Sequence, residues 1–301
     1  MTRRLLDATP HDFAQMDGAA LQASIRAADG RTLAVEVICT VDPPVEGITQ
    51  GELAAAMGAD VIVLDRYDPL RPRIAGAPET DRSDRAPLAA YKHLLGRPLG
   101  INLIVVGDSA GKDLGGRTAQ KPHIDLAVEQ GVDCLFLYAR PGMGGTLERQ
   151  VETAAAIRRD HGRRVLLIGV PTFSAAPPRT DDALTHYCDS SARLVEAGCD
   201  GIGLPMPATK SGWTVDAAAS IVDQVHRAGG LAWLFVTGSI EGAPQDVMFT
   251  LALTAKQIGA DAVRLDEAGL SGMPVPENIL AFSLAFRGRA HTFRRMASAR
   301  R

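Results

Sequence analysis

The chain of 301 residues lacks the features that mark several large protein classes. No stretch approaches the roughly 18 uninterrupted apolar residues of a membrane span, and the first residues contain no apolar signal-peptide core. The four cysteines form no CxxC pair, so neither a zinc ribbon nor a disulfide framework is indicated. These absences predict a cytoplasmic protein that makes no contact with a membrane.

An excess of charge of one sign is absent too. The 32 lysines and arginines against 35 aspartates and glutamates leave a net charge of −3. Such a chain has no overall field that attracts nucleic acid or an anionic surface. We therefore expect a small-molecule partner and no nucleic acid.

The patterns of two catalytic classes are also missing. No GxSxG elbow is present, which argues against a serine hydrolase. The glycine-rich segment 107–118 lacks the lysine spacing of a P-loop, and we interpret it as a lid or as a surface loop. Lysines are few and none lies in a predicted strand, so a Schiff-base mechanism has few candidates, of which Lys210 is placed to reach a site.

What the chain does contain is a repeat. A composition of 46% hydrophobic and 22% charged residues suits a globular core, and the length allows either two domains or one barrel. Gly-X-Asp followed by an apolar run occurs four times, starting at Gly58, Gly131, Gly198 and Gly259. Such a glycine caps a helix, and the run behind it is typical of a strand buried on both faces.

Four further apolar runs lie between these copies, at 33–40, 101–106, 165–170 and 231–237. The combined set amounts to eight strands separated by helical segments, which predicts an α/β protein with a (β/α)8 TIM barrel. A doubly wound open sheet is the alternative. We expect a single domain with a helical cap over 1–30, whose helices begin near Thr9 and Asp17, a barrel over 31–285 and a basic tail over 286–301.

The tail is rich in arginine. Its six arginines are Arg287, Arg289, Arg294, Arg295, Arg300 and Arg301. Positive charge stabilises the last turn of a helix, so we interpret the tail as a solvated helix end, with a subunit contact or an anion patch as the alternatives. We expect the chain to form a homo-oligomer.

Alternation along the strands predicts which polar residues point into the barrel. Arg264 and Asp266 share one side of the eighth strand, while Glu36 and Asn102 lie on the inward sides of the first and third. Because the first and eighth strands are neighbours in a closed barrel, Glu36 and Arg264 are predicted to form a buried ion pair. The pair either satisfies polarity in the core or orients Asp266 or a substrate.

Chemistry in such barrels occurs at the carboxyl ends of the strands, where this sequence places several acids. The candidate catalytic residues are Glu36, Asp65, Asp108, Arg264 and Asp266. Converging carboxylates repel one another unless a cation neutralises them, and oxygen ligands without histidine or cysteine favour Mg2+ or Mn2+. We predict Asp65 and Asp108 as the metal-proximal pair, with capping of the next helix or loop as the alternative.

Glycine-rich loops follow the fourth, seventh and eighth strands, and the last two occupy the usual phosphate position of this fold. Small residues let backbone amides approach an anion, so a phosphorylated or carboxylated substrate is expected. Ordinary tight turns are the alternative, and Glu241 and Glu267 would oppose an anion unless they point away. The predicted substrate-binding or phosphate-binding residues are Asn102, Arg140, Gly142, Gly144, Gly145, Thr237, Gly238, Ser239, Gly269, Ser271 and Gly272.

The chain resembles a bacterial family of uncharacterised TIM-barrel proteins, labelled phosphoenolpyruvate-phosphonomutase-like or haloacid-dehalogenase-like. The resemblance lies in EVICT (36–40), GADVIVLDRYD (58–68), GRPLGINL (96–103) and the segment 266–297. It covers nearly the whole chain and implies the barrel fold. The dehalogenase label is rejected, because that chemistry needs a second aspartate two positions after the first, whereas Asp65 is followed by Asp68. The phosphonomutase group implies a Mg2+-dependent barrel for enolate-forming acids, although its lysine-cysteine-glycine loop is missing.

The sequence thus favours a metal-assisted lyase or isomerase that acts on a C–C or C–P bond through an enolate. One of Asp65, Asp108 or Asp266 would move the proton. A metal-dependent hydrolase of a phosphorylated metabolite and a non-catalytic metabolite-binding barrel are the alternatives.

Overall fold

The structure is a computed structural model that describes residues 3–77, 87–107, 112–171 and 177–298. Its strands are β1 (Thr32–Ile38), β2 (Val61–Asp65), β3 (Leu99–Val105), β4 (Cys134–Ala139), β5 (Leu166–Val170), β6 (Gly201–Pro205), β7 (Leu231–Val236) and β8 (Ala262–Leu265). They pair in parallel in chain order, and β8 pairs with β1 to close the barrel. The predicted α/β TIM barrel is confirmed, and closure excludes the open sheet.

Two helices precede β1, one follows β8, and the others connect successive strands on the outside of the barrel. They are α1 (Pro10–Gln15), α2 (Gly18–Arg26), α3 (Gln50–Ala56), α4 (Pro87–Leu95), α5 (Lys121–Glu129), α6 (Leu147–His161), α7 (Asp181–Glu196), α8 (Val215–Arg227), α9 (Gln245–Ile258) and α10 (Pro276–Ala297). Thr9 and Asp17 cap α1 and α2, because each side chain accepts a hydrogen bond from the amide three residues on. Among the residues described, no helix has the length and apolar character needed to cross a membrane.

Two apolar clusters explain why the strands are hydrophobic on both faces. One cluster packs outward-facing strand residues against the helices. The other fills the barrel and includes Ala34, Val63, Phe136, Trp233 and Phe235. It also takes in residues that precede β1, namely Leu5, Phe13, Leu21 and Ile25. The segment before β1 therefore packs against the barrel interior.

The arginine-rich tail departs from expectation. Helix α10 bends at Gly288, where φ is +78°, and the residues Arg287 and Arg295 on either side of the bend are only 5% and 1% exposed. Arg287 Nη1 lies 2.5 Å from Asp60 Oδ2, and Arg295 Nε lies 2.7 Å from Asp60 Oδ1. The interpretation as a solvated helix end is therefore wrong for these two arginines. They are buried because a carboxylate and several carbonyls receive their donors.

We call Asp60, Arg97, Arg287 and Arg295 the basal cluster, since Asp60 comes directly before β2 at the amino end of the barrel. The Arg287 and Arg295 guanidiniums pair with the Asp60 carboxylate, and Arg97 donates to the Arg295 carbonyl beside them. Arg287 Nε donates to the Ser283 hydroxyl, and the other donors of the three arginines go to backbone carbonyls of Leu5, Ala8, Gly58, Ala59, Gly96 and Arg295. The basal cluster therefore ties segments from both ends of the described chain to the start of β2.

The other tail arginines differ from these. Arg289 and Arg294 are exposed, as expected of a solvated helix end. Arg294 Nη1 lies 2.8 Å from Asp7 Oδ1. Arg300 and Arg301 lie outside the described residues.

Candidate active site

Arg264 lies in the barrel interior near the carboxyl end of β8 and is 1% exposed. Its Nη1 is 2.8 Å from Glu36 Oε2 on β1, and its Nη2 is 2.8 Å from Asp266 Oδ1. The guanidinium carbon lies 3.8 Å from the centroid of the Phe235 ring, which adds a cation–π contact. The predicted buried ion pair between Glu36 and Arg264 is confirmed.

Asn102 and Tyr138 extend this ion pair across the barrel. Asn102 donates from Nδ2 to Glu36 Oε2 at 2.9 Å and to Asp65 Oδ1 at 3.0 Å. Arg264 Nη2 donates to the Tyr138 hydroxyl at 2.5 Å. We call the connected set the mouth cluster, which consists of Glu36, Asp65, Asn102, Tyr138, Arg264 and Asp266. It joins β1, β2, β3 and β4 to the end of β8.

Tyr138 is missing from the candidates that the sequence supplied. Its signal is nevertheless present, because alternation along Cys134–Ala139 puts Phe136 and Tyr138 on the same side of β4. Phe136 belongs to the cluster that fills the barrel, and Tyr138 packs against the same cluster. The rule that identifies Glu36 and Asn102 as inward-facing therefore identifies Tyr138 as well.

Burial controls the protonation of the mouth cluster. It raises the pKa of Glu36 well above the usual range; Arg264 opposes this shift, and the charges of Asp266 and Asp65 add to it. Burial also raises the pKa of Asp266, against hydrogen bonds from Arg264 and the Thr237 hydroxyl. For Arg264, burial acts to lower the pKa, but Asp266 and Glu36 outweigh it and hold the pKa well above its ordinary value. Arg264 therefore stays charged, while these acids keep their protons to a higher pH than free carboxyls.

Three carboxylates at the mouth are close enough to share an ion. One oxygen each from Glu36, Asp266 and Glu267 lies within 4.8 Å of the other two. A set made only of carboxylate oxygens suits a hard cation such as Mg2+ or Mn2+. Asp65 reaches this group through Asn102. Asp108 lies outside the described residues, so the predicted pair of Asp65 and Asp108 stays a prediction.

The glycines in the loop after β4 serve close packing between two loops. A Cβ on Gly145 would lie 2.4 Å from the Val105 carbonyl oxygen, and Gly144 has φ of +74° and lies against Gly107. Any larger side chain at Gly145 would push the loops after β3 and β4 apart. Gly142 has open space around it, and the neighbouring Arg140 is exposed.

The loops after β7 and β8 are tied to neighbouring parts of the chain. The Gly272 carbonyl accepts a hydrogen bond from the Ile38 amide at 2.7 Å, and Gln50 Nε2 donates to the Ser271 carbonyl at 2.5 Å. A Cβ on Gly269 would lie 2.2 Å from the Met273 carbonyl oxygen. Gly238 and Ser239 have φ of +73° and +69°, as in a tight turn. These contacts are those of ordinary turns, and phosphate binding by the two loops stays a prediction.

Solved structures support the fold alone. The carboxyl transferase domain of Rhizobium etli pyruvate carboxylase, solved with pyruvate, is similar with a TM-score of 0.56 and 12% identity, over 97% of this chain and 52% of that one. A protein provisionally described as a lyase/mutase from Burkholderia cenocepacia has a TM-score of 0.49 and 17% identity, over 84% and 82% of the two chains. The chain thus spans about half the length of the carboxyl transferase domain.

A family model matches nearly the whole sequence. The model is described as a domain of unknown function (DUF7916), and it matches residues 6–301. The matched range includes the mouth cluster and the basal cluster. No curated protein is similar enough in sequence to match the chain.

Proposed function

We propose that this chain, which belongs to the DUF7916 family, is a metal-assisted lyase or isomerase. Its substrate is a small phosphorylated or carboxylated metabolite, in which a C–C or C–P bond next to a carbonyl breaks or rearranges through an enolate. One observation carries the proposal: at the mouth of the barrel, buried Arg264 holds Glu36 and Asp266 next to further carboxylates.

The acids of this site outnumber its buried cation. Arg264 pairs with Glu36 and Asp266, Glu267 lies beside them, and Asp65 is linked to Glu36 through Asn102. Acids this close ionise together only where positive charge is added. Glu36, Asp266 and Glu267 fit a divalent ion, which when bound would polarise a substrate carbonyl and stabilise an enolate.

The residues of the mouth cluster have different roles. Arg264 is a positioning residue, because its donors go to Glu36, Asp266 and Tyr138 and leave little of it exposed. Asp65 is the more accessible acid, with 24% of its side chain exposed, and we assign it to move the proton. Asn102 Nδ2 donates to Asp65 Oδ1 at 3.0 Å and to Glu36 Oε2 at 2.9 Å, so it keeps the two carboxylates close together.

Hydrogen exchange at carbon tests this assignment. The protein is incubated in D2O with Mg2+ or Mn2+ and a panel of 2-oxo acids and phosphorylated analogues, and loss of the proton signal beside the carbonyl is followed by NMR. Wild type should exchange at least one compound. Asp65→Asn should slow exchange about 10²- to 10⁴-fold through kcat, the usual contribution of an acid–base group. Asp246→Asn, which changes an exposed acid at the start of α9, should keep the wild-type rate.

The alternatives predict other results. A metal-dependent hydrolase would transfer oxygen from labelled water to its product without exchange at carbon. A non-catalytic barrel would bind a compound from the panel and change nothing in it. Either result, with no exchange at carbon, would reject the lyase or isomerase assignment.

A further inference from the structure

Glu241 is a buried acid outside the mouth cluster. It lies in the loop after β7, within a short 3-10 helix (Ile240–Gly242), and is 0% exposed. Neither carboxylate oxygen makes a hydrogen bond of good geometry with a described residue. The backbone around it is held firmly, because Asn278 Nδ2 donates to the Glu241 carbonyl at 2.9 Å and to the Ala243 carbonyl at 2.6 Å. A buried carboxyl without such partners costs free energy, so its position calls for an explanation.

The loops after β7 and β8 meet beside this side chain. A Cβ on Gly242 would lie 3.7 Å from the Cα of Gly269. Burial raises the pKa of Glu241 to about 7, Asp266 and Glu267 act in the same direction, and the backbone amides of Glu241 and Ala268 oppose the shift. The Glu241 carboxyl is thus buried where the two loops meet, and the amides of Glu241 and Ala268 favour its ionised form.

These two loops are where barrels of this fold commonly bind a substrate phosphate, through backbone amides that face the anion. Here a fully buried carboxyl of the chain lies at the junction of the two loops. We propose that Glu241 occupies this anion position itself and acts as a specificity residue that excludes substrate phosphate. The proposal replaces the expectation that Gly238, Ser239, Gly269 and Ser271 bind phosphate.

Two physical effects support the exclusion. The Glu241 side chain takes up volume between the loops, since none of it is exposed. In its ionised form it also repels a phosphate, and Asp266 and Glu267 add to the repulsion. Arg264 does not offset this, because its donors are already used by Glu36, Asp266 and Tyr138.

The inference narrows the substrate class to metabolites whose anion is a carboxylate, and to that extent it rests on the proposed function. Its own test needs no turnover. It can therefore fail while the lyase or isomerase assignment stands, and that assignment can fail while Glu241 still excludes phosphate.

Inorganic phosphate is the probe, added to the full chain without divalent ions. Binding is measured by calorimetry and by the backbone amide shifts of Gly242 and Ala268. Wild type should bind no more tightly than about 10 mM, whereas Glu241→Ala, which removes both volume and charge, should bind at least tenfold more tightly, at about 1 mM or better. Glu241→Gln removes the charge and keeps the volume, and should fall between them. Asp246→Asn removes a nearby exposed charge and should match wild type.

The wild-type measurement decides even where a variant fails to fold. Binding by wild type near 1 mM, with shifts at Gly242 and Ala268, would overturn the proposal. It would also be overturned if Glu241→Gln or Glu241→Ala keeps the melting temperature of wild type and binds phosphate no better. A gain that Asp246→Asn reproduces would show a general effect of charge and would reject the role of Glu241.

Discussion

Two buried ion clusters lie at opposite ends of the barrel, and their charge balance is reversed. In the basal cluster Arg287 and Arg295 share Asp60, Arg97 lies beside them, and backbone carbonyls accept most of the remaining donors. In the mouth cluster Glu36 and Asp266 share Arg264, Asp65 is linked to Glu36 through Asn102, and the partners are side chains. Carbonyls do not titrate, but carboxyls do. The basal cluster relies mostly on neutral backbone acceptors, while the mouth cluster has several acids that can take up a proton or a cation.

The two ends of the barrel have different tasks, one in stability and one in chemistry. Groups at the amino end of a barrel serve the fold, whereas groups at the carboxyl end are available to a substrate. If the two clusters divide these tasks, changes in the basal cluster should affect stability, and changes in the mouth cluster should alter the response to pH and to cations.

The largest effect is expected from the basal cluster. Asp60→Asn leaves Arg287 and Arg295 buried without a counter-charge and should lower the free energy of unfolding by about 3–5 kcal/mol, measured by urea denaturation. Asp7→Asn removes a partly exposed partner of Arg4 and Arg294 and should cost less than about 1 kcal/mol. Similar losses in the two variants would contradict the special role of the basal cluster.

A smaller effect that depends on pH is expected at the mouth. Arg264→Met leaves Glu36 and Asp266 without their cation, so their pKa values, already raised, should rise further. An acid whose pKa is higher in the folded state stabilises the fold at low pH, and this contribution is lost as the pH rises through the folded-state pKa. Between pH 5 and pH 8 the variant should lose about 2–3 kcal/mol of unfolding free energy relative to wild type. A loss independent of pH would contradict the charge balance of the mouth cluster.

Divalent cations should bind at the mouth cluster and leave the basal cluster unaffected. An ion that binds only the folded state adds about 1.4 kcal/mol at ten times its dissociation constant. Mg2+ or Mn2+ should raise the melting temperature of wild type, and EDTA should reverse the rise. Glu267→Gln should abolish the rise, whereas Asp60→Asn should retain it. A rise that survives in Glu267→Gln would favour the sequence-predicted pair of Asp65 and Asp108.

The smallest effect separates two adjacent arginines of the tail. Arg294→Ala should change the free energy of unfolding by less than about 0.5 kcal/mol, because its partner Asp7 is also partly exposed. Arg295→Ala should cost several times more, since it leaves Asp60 and the carbonyls around it short of donors. Thermal melts of the pair measure the difference. Equal melting temperatures of Arg294→Ala and Arg295→Ala would show that the contacts of Arg295 in the basal cluster do not stabilise the fold.

The mouth cluster was largely predictable because strand alternation has a period of two residues. Glu36, Asn102 and Arg264 follow from that period alone, and the closed order of strands brings them together. Tyr138 obeys the same rule. Glu267 lies beyond the end of β8, where alternation no longer applies, so its approach to Glu36 depends on the conformation of a loop.

The basal cluster was not predictable from the local pattern. Arg295 and the Leu5 carbonyl that accepts its donor are 290 positions apart. A run of arginines near a helix end is usually solvated, and nothing in the segment 286–301 indicates which of them meets Asp60. The roles of the loop glycines were not predictable either. Gly145 packs against the carbonyl of Val105 at the end of β3, and Gly269 packs against the carbonyl of Met273.

The bend at Gly288 determines what the last helix can do. In a straight α-helix, residues 287 and 295 would be about 12 Å apart along the axis and about 80° apart around it, so their side chains would diverge. Gly288 has φ of +78° and no atom within 4 Å of a Cβ placed on it, so alanine would meet conformational strain there and no collision. Gly288 thus allows the single carboxylate of Asp60 to pair with one arginine from each half of the helix.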